Sequence, residues 1–403
     1  MQKGIFSYMA LKNMRHKRII APLVLTVLVT ACSGAATDES NEAATFKIVD
    51  NHSGDGIDKI GLSMPSQYLE RWNRDGKYLK SVFEEMGYEV ELKFAGNMID
   101  TQIDAIDAMI DDGCDVLVIG AVDGLSLTRV VEKAYYAGIP VISYDRLICN
   151  SEYISAYVSF DNYEVGRLQG EYIEEALDLE NAGSKTYNVE FIAGDSADNN
   201  ARYFFDGAMD VLKPYIDDGI LNVPSGQLDF YTVATSQWST ESANIRFEIL
   251  IGSYYSGANR LDAVVCSNDS TALGVEAAIE ENYKENNSVL ITGQDCDEAN
   301  LVKLMEGRQS MDVYKNLTYE AYVTVKLVDS LYNGKEMSQE LADGWDLGFE
   351  CTYDTTTYDN GKIVVPSFLL KPVTITSDNA VEELVDNYGT YVLTDDGTLK
   401  VAE

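Results

Sequence analysis

Short apolar runs alternate with longer amphipathic segments through most of the chain. In the first part of the sequence, five runs have the length and composition of β-strands: 59–64, 88–95, 115–121, 140–145 and 156–162. The segments between them have helical periodicity; the segment 101–113, for example, places Ile103, Ile106 and Ile110 on one face and ends at Gly113. Strands that alternate with helices in this order predict a parallel sheet covered on both faces by helices.

The same alternation begins again after a helical segment at 163–177. The second series of strand-like runs comprises 187–194, 227–233, 261–268, 288–295 and 311–315. One more helix is predicted at 318–334, and residues 362–376 form an extended segment that contains Pro366 and Pro372. Two such series in a chain of 403 residues predict an α/β protein with two doubly wound parallel-sheet lobes.

The beginning of the chain has the composition of a targeting segment. Five basic residues and no acid precede an apolar run at 19–29, which is shorter than the roughly 20 residues that span a bilayer. The next residues, Val29 to Cys32, resemble a bacterial lipobox, which implies cleavage before Cys32 and a lipid on its sulfur. An ordinary exported protein with a chance cysteine is the alternative. We expect a signal peptide over 1–31 and a flexible polar tether over 32–57.

Charge and residue usage exclude several functions. A net charge of −36 opposes binding to nucleic acid, and the same charge favours solubility. After removal of the predicted signal peptide, His52 is the one histidine left. The mature chain therefore has almost no histidine that could act as the base in serine or cysteine catalysis or bind a metal ion. We expect no catalytic residue, no metal and no cofactor.

Five cysteines follow Cys32, and none belongs to a Cys-x-x-Cys pair. We expect most of them to be buried thiols. The sequence leaves open whether Cys266 and Cys296 form a disulfide, because both lie at ends of predicted strands.

Charged and amide side chains follow nearly every predicted strand. They are Asp145 and Arg146, Asp161 and Asn162, Asp198 to Asn200, Asn268 and Asp269, Gln294 and Asp295, and Lys315. In open parallel sheets, ligands bind beyond the carboxyl ends of the strands, so two facing lobes would direct these residues into one cleft. Acceptors, cations and aromatic planes such as Trp72 and Trp238 are what a sugar requires. Taken singly, each feature also fits a surface ion pair, a helix cap or a core residue.

Ordered motifs across about 58 to 376 resemble the periplasmic sugar-binding proteins of ABC importers. The motifs are ERWNRDG, VLVIGAVDG, ISYDR, VSFDN, DNNARYFFDGAM, VLKPYID, GQD, VYK and VPSFLLKPV. The closest groups are the xylose-binding and the multiple-monosaccharide-binding proteins. The resemblance implies a type I periplasmic binding protein fold, with two lobes joined by a three-strand hinge. We place the first lobe at 58–162 plus 316–350 and the second at 163–315 plus 351–403.

The resemblance also implies which residues bind the sugar. Arg71, Asp145 and Arg146 look like hydroxyl ligands of the first lobe, and Trp72 and Trp238 like opposing stacking rings. The other matching ligands are Asp198, Asn200, Asn268, Asp295 and Lys315. Asp145 and Arg146 would pair with each other and with hydroxyls. The implied partners are an aldose such as xylose, glucose or galactose, the permease subunits, and the membrane through lipid on Cys32, with a monomeric protein outside the cytoplasm.

The chain departs from the family pattern in three places. Asp123 favours the multiple-sugar group, Asp195 adds a charge near the cleft rim, and residues 340–360 look like a surface insertion.

Three rival functions compete with sugar import. The first is an enzyme, but the chain has almost no histidine to act as a base and has no nucleotide-binding motif. A transcription regulator with this core needs a helix-turn-helix where this chain has an export leader. A sugar-sensing lipoprotein that signals to a membrane receptor stays open, as do the preferred aldose and the choice between a periplasm and the outer face of a single membrane.

Overall fold

The computed structural model describes residues 58–257 and 259–402. The predicted signal peptide, the tether with Cys32, and His52 lie outside these residues. The first lobe begins with β1 (Lys59–Met64), α1 (Glu70–Glu85), β2 (Glu89–Phe94), α2 (Ile99–Asp111), β3 (Val116–Ile119), α3 (Thr128–Tyr136), β4 (Val141–Tyr144) and β5 (Ala156–Phe160). These five strands are parallel, as the alternation of apolar runs and helices predicts.

The second lobe repeats this plan. Its elements are α4 (Asn162–Ala176), β6 (Tyr187–Ile192), α5 (Asn199–Asp217), β7 (Leu221–Asn222), α6 (Phe230–Val233), α7 (Thr240–Tyr254), β8 (Ala263–Cys266), α8 (Asp269–Asn282), β9 (Leu290–Ile291), α9 (Glu298–Met305) and β10 (Asp312–Tyr314). The strands β7, β6, β8 and β9 form a parallel sheet in that order. The N–H of Val313 donates to the carbonyl of Gly293 at 3.2 Å, so β10 runs beside the end of β9.

The prediction of a strand at 227–233 is wrong. The strand beside β6 is the shorter β7, and residues 230–233 form one turn of helix instead. Asp229 begins this turn, because its side chain accepts a 3.1 Å hydrogen bond from the N–H of Tyr231. The alternation of apolar and polar residues in this segment reflects a helical turn over the core, where Phe230 and Val233 are buried.

The chain then returns to the first lobe through α10 (Leu317–Tyr332), α11 (Gln339–Asp343), β11 (Cys351–Asp354) and β12 (Ser367–Leu370). The strand β12 pairs in parallel with β5, and β11 pairs antiparallel with β12. The seven strands of the first sheet have the order β11, β12, β5, β4, β3, β1, β2. Our placement of residues 351–370 in the second lobe is therefore wrong. Phe368 and Leu370 belong to the hydrophobic core of the first lobe, which fixes β12 in its sheet.

The last elements belong to the second lobe. The strand β13 (Val373–Ile375) pairs antiparallel with β10, and a π-helical turn (Glu382–Asn387) leads to the hairpin of β14 (Tyr391–Leu393) and β15 (Leu399–Val401). The chain thus crosses between the lobes three times, after β5, β10 and β12. These crossings form the predicted three-strand hinge.

The segment 340–360 is more than a surface insertion. It contains β11, and its residues Trp345, Cys351 and Tyr358 are buried. The indole N–H of Trp345 donates to the hydroxyl of Ser330 at 3.1 Å. The segment therefore completes the edge of the first sheet, since an added strand and its buried aromatic residues cover apolar surface there.

Cys266 and Cys296 are both buried free thiols, so the disulfide that the sequence left open is not formed. The described residues include no helix with the length and apolar character needed to cross a bilayer.

Candidate functional site

A cavity lies between the lobes, at the carboxyl ends of both sheets. All ten predicted ligand residues line it: Arg71, Trp72, Asp145, Arg146, Asp198, Asn200, Trp238, Asn268, Asp295 and Lys315. Leu69, Phe204, Ser270, Gln294 and Asp297 also line it and were not among the predicted ligands. Sequence signals existed for two of them, because Gln294 lies near the end of the predicted strand 288–295 and Phe204 lies one helical turn after Asn200.

Asp145 has an unusual backbone conformation directly after β4. Its φ angle is 56°, in the left-handed region that a residue with a side chain seldom adopts. Neighbouring groups hold the peptide in place. Its N–H donates to the carbonyl of Val158 at 2.8 Å, and its own carbonyl accepts hydrogen bonds from Ser159 and the hydroxyl of Tyr157. Strain that is held this firmly commonly marks a functional position, and here it belongs to a side chain in the cleft.

Asp145 and Arg146 do not pair with each other, contrary to our expectation. The carboxylate of Asp145 lies 2.5 Å from an Nη of Arg71 in the same lobe. The Nε of Arg146 lies 2.8 Å from the carboxylate of Asp198 in the other lobe. Successive residues that leave a strand point in different directions, so each finds a partner distant in sequence. Burial raises the pKa of Asp198, and the charge of Arg146 opposes that rise.

The guanidinium of Arg71 lies among four carboxylates. Besides Asp145, these are Asp75 at 3.4 Å, Glu320 at 3.3 Å and Asp295 at 3.6 Å, the last from the second lobe. Burial by itself would lower the pKa of Arg71, but Asp145 and the other carboxylates together raise it well above its usual value. Arg71 is therefore a fixed cation that faces both lobes.

Lys315 supplies a second cation at the hinge crossing after β10. Its ammonium lies 3.0 Å from Asp295 and 5.7 Å from the centre of the Phe204 ring. Burial would raise the pKa of Asp295, but Lys315 and Arg71 lower it below its usual value. Asp295 is thus a charged acceptor with cations on two sides.

The two indole rings come from different lobes. The guanidinium carbons of Arg71 and Arg146 each lie 5.2 Å from the centre of the Trp72 ring, within cation–π range. Trp238 packs edge-on to Phe204, with ring centres 6.2 Å apart. Both tryptophans are almost fully buried but line the cavity, so each combines a core role with a surface for a ligand.

A short loop contact positions Trp238. Gln237 and Trp238 both have φ angles near +55°, and the carboxylate of Asp195 accepts a 2.5 Å hydrogen bond from the N–H of Gln237. A Cβ at Gly194 would lie 2.0 Å from the indole ring, so only glycine leaves room for Trp238 at this place. Asp195, which we expected as an added charge at the cleft rim, therefore holds the loop that carries the Trp238 ring.

The two predicted asparagine ligands also hold the backbone. The amide of Asn200 donates to the carbonyl of Asp145 at 2.6 Å, and its Oδ1 lies 3.0 Å from the hydroxyl oxygen of Tyr157. The Oδ1 of Asn268 caps α8 by accepting from the N–H of Thr271 at 3.1 Å. Asn268 can therefore offer a ligand its amide N–H groups, whereas Asn200 joins the lobes.

The chemistry of the cavity fits a neutral ligand rich in hydroxyl groups. Its lining contains three cations, Arg71, Arg146 and Lys315, and four carboxyl groups, so their charges are nearly balanced. Within 58–257 and 259–402, no group of three or more histidine, cysteine, aspartate or glutamate residues has the arrangement to hold a metal ion. A sugar ring requires charged donors and charged acceptors for its hydroxyl groups and flat aromatic faces for its C–H groups, and this cavity offers both together with two indole rings.

Comparison with known proteins decides the family. The family model described as periplasmic binding protein domain matches residues 60–336. The chain belongs to the periplasmic binding protein family. A multiple sugar-binding periplasmic protein of Azospirillum brasilense is 38% identical over 331 residues, which cover 81% of this chain and 88% of that protein. The D-xylose-binding periplasmic protein of Escherichia coli is 33% identical over 362 residues, covering 90% and 96%.

A solved structure gives the same result for the fold. An ABC transporter solute-binding protein from Clostridium phytofermentans, with bound β-D-glucose, is 45% identical to this chain. It superposes with a TM-score of 0.77 and covers 84% of this chain and 99% of its own. The fold is therefore that of a type I periplasmic binding protein, and family membership places the protein outside the cytoplasm.

Proposed function

We propose that this protein captures an aldose between its lobes and delivers it to the permease of an ABC transporter. The observation that carries the proposal is the cavity itself, in which the ten predicted residues from both lobes meet. It offers carboxylate acceptors, cationic donors and two indole faces to one small ligand. The protein acts as a binder, and its relatives are named for the sugars they bind.

Closure of the lobes supports the same function. Arg146 and Asp198 form an ion pair between the lobes, and Arg71 reaches Asp295 across the cleft. A ligand that contacts both sides binds the closed form more tightly than the open form, so binding shifts the population toward closure. A permease that recognises the closed outline then receives loaded protein.

The first experiment is a thermal shift of the soluble form from Ser33 onward. The ligands are xylose, arabinose, glucose, galactose, ribose and fructose, each tested alone. A ligand at about a hundred times its dissociation constant stabilises the folded state by roughly 2.7 kcal/mol, a shift of several degrees. A shift with at least one aldose is expected and ranks the sugars. The absence of a shift with all six would contradict the proposed ligand class.

The choice between import and sensing needs a second measurement. Deletion of the gene should abolish uptake of the radiolabelled sugar that gives the largest thermal shift, and the intact gene should restore it. Normal uptake in the deletion strain, with loss of a sugar-dependent transcriptional response, would support the sensing role instead.

We also propose that lipid on Cys32 anchors the protein to the membrane. The support is the sequence from Val29 to Cys32, followed by a polar segment of tether composition. Anchoring raises the concentration of loaded protein beside the permease. Cys32→Ser should move the protein from the membrane fraction to the soluble fraction, with Cys149→Ser as the matched control. An unchanged membrane fraction for the Cys32 variant would contradict the anchor.

A further inference from the structure

Two carboxyl groups lie behind Arg71, outside the lining of the cavity. Asp75, four residues after Arg71 on α1, places its Oδ2 3.4 Å from the Nε of Arg71. Glu320, on α10, places its Oε2 3.3 Å from an Nη. The two acids contact the guanidinium from the core of the first lobe, while Asp145 and Asp295 contact it from the cleft.

These groups are buried deeply and bonded poorly. Asp75 is 1% exposed and Glu320 is fully buried. Among the described residues, neither oxygen of Asp75 has a hydrogen-bond partner, and the same holds for Oε1 of Glu320, the Nε of Arg71 and the hydroxyl of Tyr144. A buried carboxylate without hydrogen bonds costs stability unless a charge compensates it. The fold nevertheless keeps two acids here, where they contact a residue of the ligand cavity.

The two acids differ in how readily they ionise. Burial raises the pKa of Asp75 to about 6, with Arg71 opposing the rise. Burial and the nearby charge of Asp145 raise the pKa of Glu320 well above its usual value. The charged and titratable groups that face this pair come from four places: Arg71 and Arg74 on α1, Tyr144 and Asp145 at the end of β4, Asp295 after β9, and Lys315 at the hinge.

We propose that ionised Asp75 is a positioning residue that holds the Arg71 guanidinium against the core, so that sugar binding is linked to the release of a proton. The inference rests on the proposed sugar binding. A charged Asp75 attracts the Nε end of Arg71 away from the cleft and thus weakens the contact between its Nη groups and Asp145. A protonated Asp75 exerts no such attraction, and Arg71 then pairs more closely with Asp145.

The consequence for a ligand follows from competition. A sugar hydroxyl has to insert beside Arg71 and Asp145, whose atoms are 2.5 Å apart. The hydroxyl inserts between Arg71 and Asp145 more easily when ionised Asp75 also attracts the guanidinium. The affinity for the sugar should therefore rise as Asp75 ionises. By linkage, a sugar that prefers the ionised form expels a proton when it binds near pH 6.

The test is the pH profile of affinity for D-glucose and D-xylose, measured by calorimetry on the soluble protein from pH 5 to pH 7.5. For the wild type we expect affinity about tenfold higher at pH 7.5 than at pH 5. Asp75→Asn should bind about tenfold more weakly than wild type at pH 7.5, match it at pH 5, and lose most of the pH dependence. A variant with wild-type affinity at pH 7.5, or with the wild-type profile, would overturn the inference.

Glu190→Gln is the matched control. Glu190 is an equally buried acid, bonded to Ser225 and Tyr255 in the second lobe and absent from the cavity lining. This variant should keep both the affinity and the pH profile. If it flattens the profile as Asp75→Asn does, the effect belongs to buried acids in general, and the assignment to Asp75 fails.

Proton release gives a check that needs no variant. The heat of sugar binding to the wild type at pH 6 is measured in MES and in phosphate, whose ionisation enthalpies differ. A buffer-dependent heat that corresponds to release of part of a proton is expected, and zero release or uptake would overturn the inference even if Asp75→Asn does not fold. If no sugar binds the wild type at any pH, the proposed function fails first. If sugar binds but no proton is released, only the role of Asp75 fails.

Discussion

The side-chain amide of Asn200, in the second lobe, donates a 2.6 Å hydrogen bond to the backbone carbonyl of Asp145, in the first. The same carbonyl accepts from the hydroxyl of Tyr157, which in turn accepts from the amide of Asn162 at the start of the second lobe. One strained peptide of the first lobe is thus bonded to both the hinge and the second lobe. Formation of the ligand site and closure of the lobes are therefore coupled at Asp145.

Tyr157→Phe should weaken closure without altering the lining of the cavity. The change removes the hydroxyl that contacts Asp145, Asn200 and Asn162, and one such hydrogen bond contributes about 1 kcal/mol. We expect roughly fivefold weaker sugar binding and a larger radius of gyration in small-angle scattering without ligand. Tyr255→Phe, which removes a buried hydroxyl bonded to Glu190, should lower stability only. Equal closure and affinity in wild type and Tyr157→Phe would refute the coupling.

Arg146→Ala should abolish tight binding of every sugar. The change leaves Asp198 buried without its ion-pair partner, and removal of one member of such a pair costs about 3 kcal/mol or more. This corresponds to a loss of affinity above about a hundredfold by calorimetry. Arg202→Ala breaks an exposed ion pair with Asp206 and should leave affinity within twofold. Retained binding in Arg146→Ala would mean that the interlobe pair is not part of the site.

Gly194→Ala should displace Trp238 and with it one wall of the cavity. The new methyl group would lie 2.0 Å from the indole ring, so the ring or the loop has to move. We expect affinity for glucose and xylose to fall together by tenfold or more, since stacking does not depend on which hydroxyl is axial. Gly252→Ala, on α7, is the matched control, because a methyl group there would meet no neighbouring group of the described residues within 4 Å. A loss confined to one sugar would contradict stacking by Trp238.

The stability of the second lobe should fall as pH rises, because of Asp312. Burial raises the pKa of this carboxyl from 3.8 to about 7 in the folded protein. The folded state therefore keeps a proton that the unfolded chain releases, and stability declines between about pH 4 and pH 7 and then levels off. Burial and Asp312 also raise the pKa of the neighbouring Asp269. Asp312→Asn should therefore remove only the part of the decline that belongs to Asp312, roughly 4 kcal/mol at most.

Thermal unfolding at pH 4, 5, 6, 7 and 8 checks this expectation. The stability advantage of Asp312→Asn over wild type should be small at pH 4, grow to pH 7 and stay constant at pH 8. Asp206→Asn, at a partly exposed position on α5, should give no growing advantage. An advantage for Asp312→Asn that is the same at pH 4 and pH 8 would show that the change acts through packing rather than through the proton.

Local pattern was sufficient for most of the secondary structure, and the ten ligand residues were predicted from it together with the family resemblance. The apolar runs predicted most strands of both lobes. They did not predict β11, which lies in the expected surface insertion, and at the edge of the second sheet Asp229 caps a helical turn in place of the predicted strand. The ten predicted residues converge on one cavity because parallel strands end at the same edge of a sheet. A residue such as Phe204 was missed, since an aromatic residue on a helix reads first as core.

The sequence by itself determined that two parallel sheets form and that charged residues follow their strands, because both are short-range properties of hydrophobic alternation. Only the tertiary structure decided which charge pairs with which. Asp145 pairs with Arg71, which precedes it by 74 residues, and Arg146 pairs across the cleft with Asp198. It also decided that β12 belongs to the first sheet. Ion pairs and strand neighbours depend on which surfaces meet after the chain has folded, and sequence spacing does not fix that.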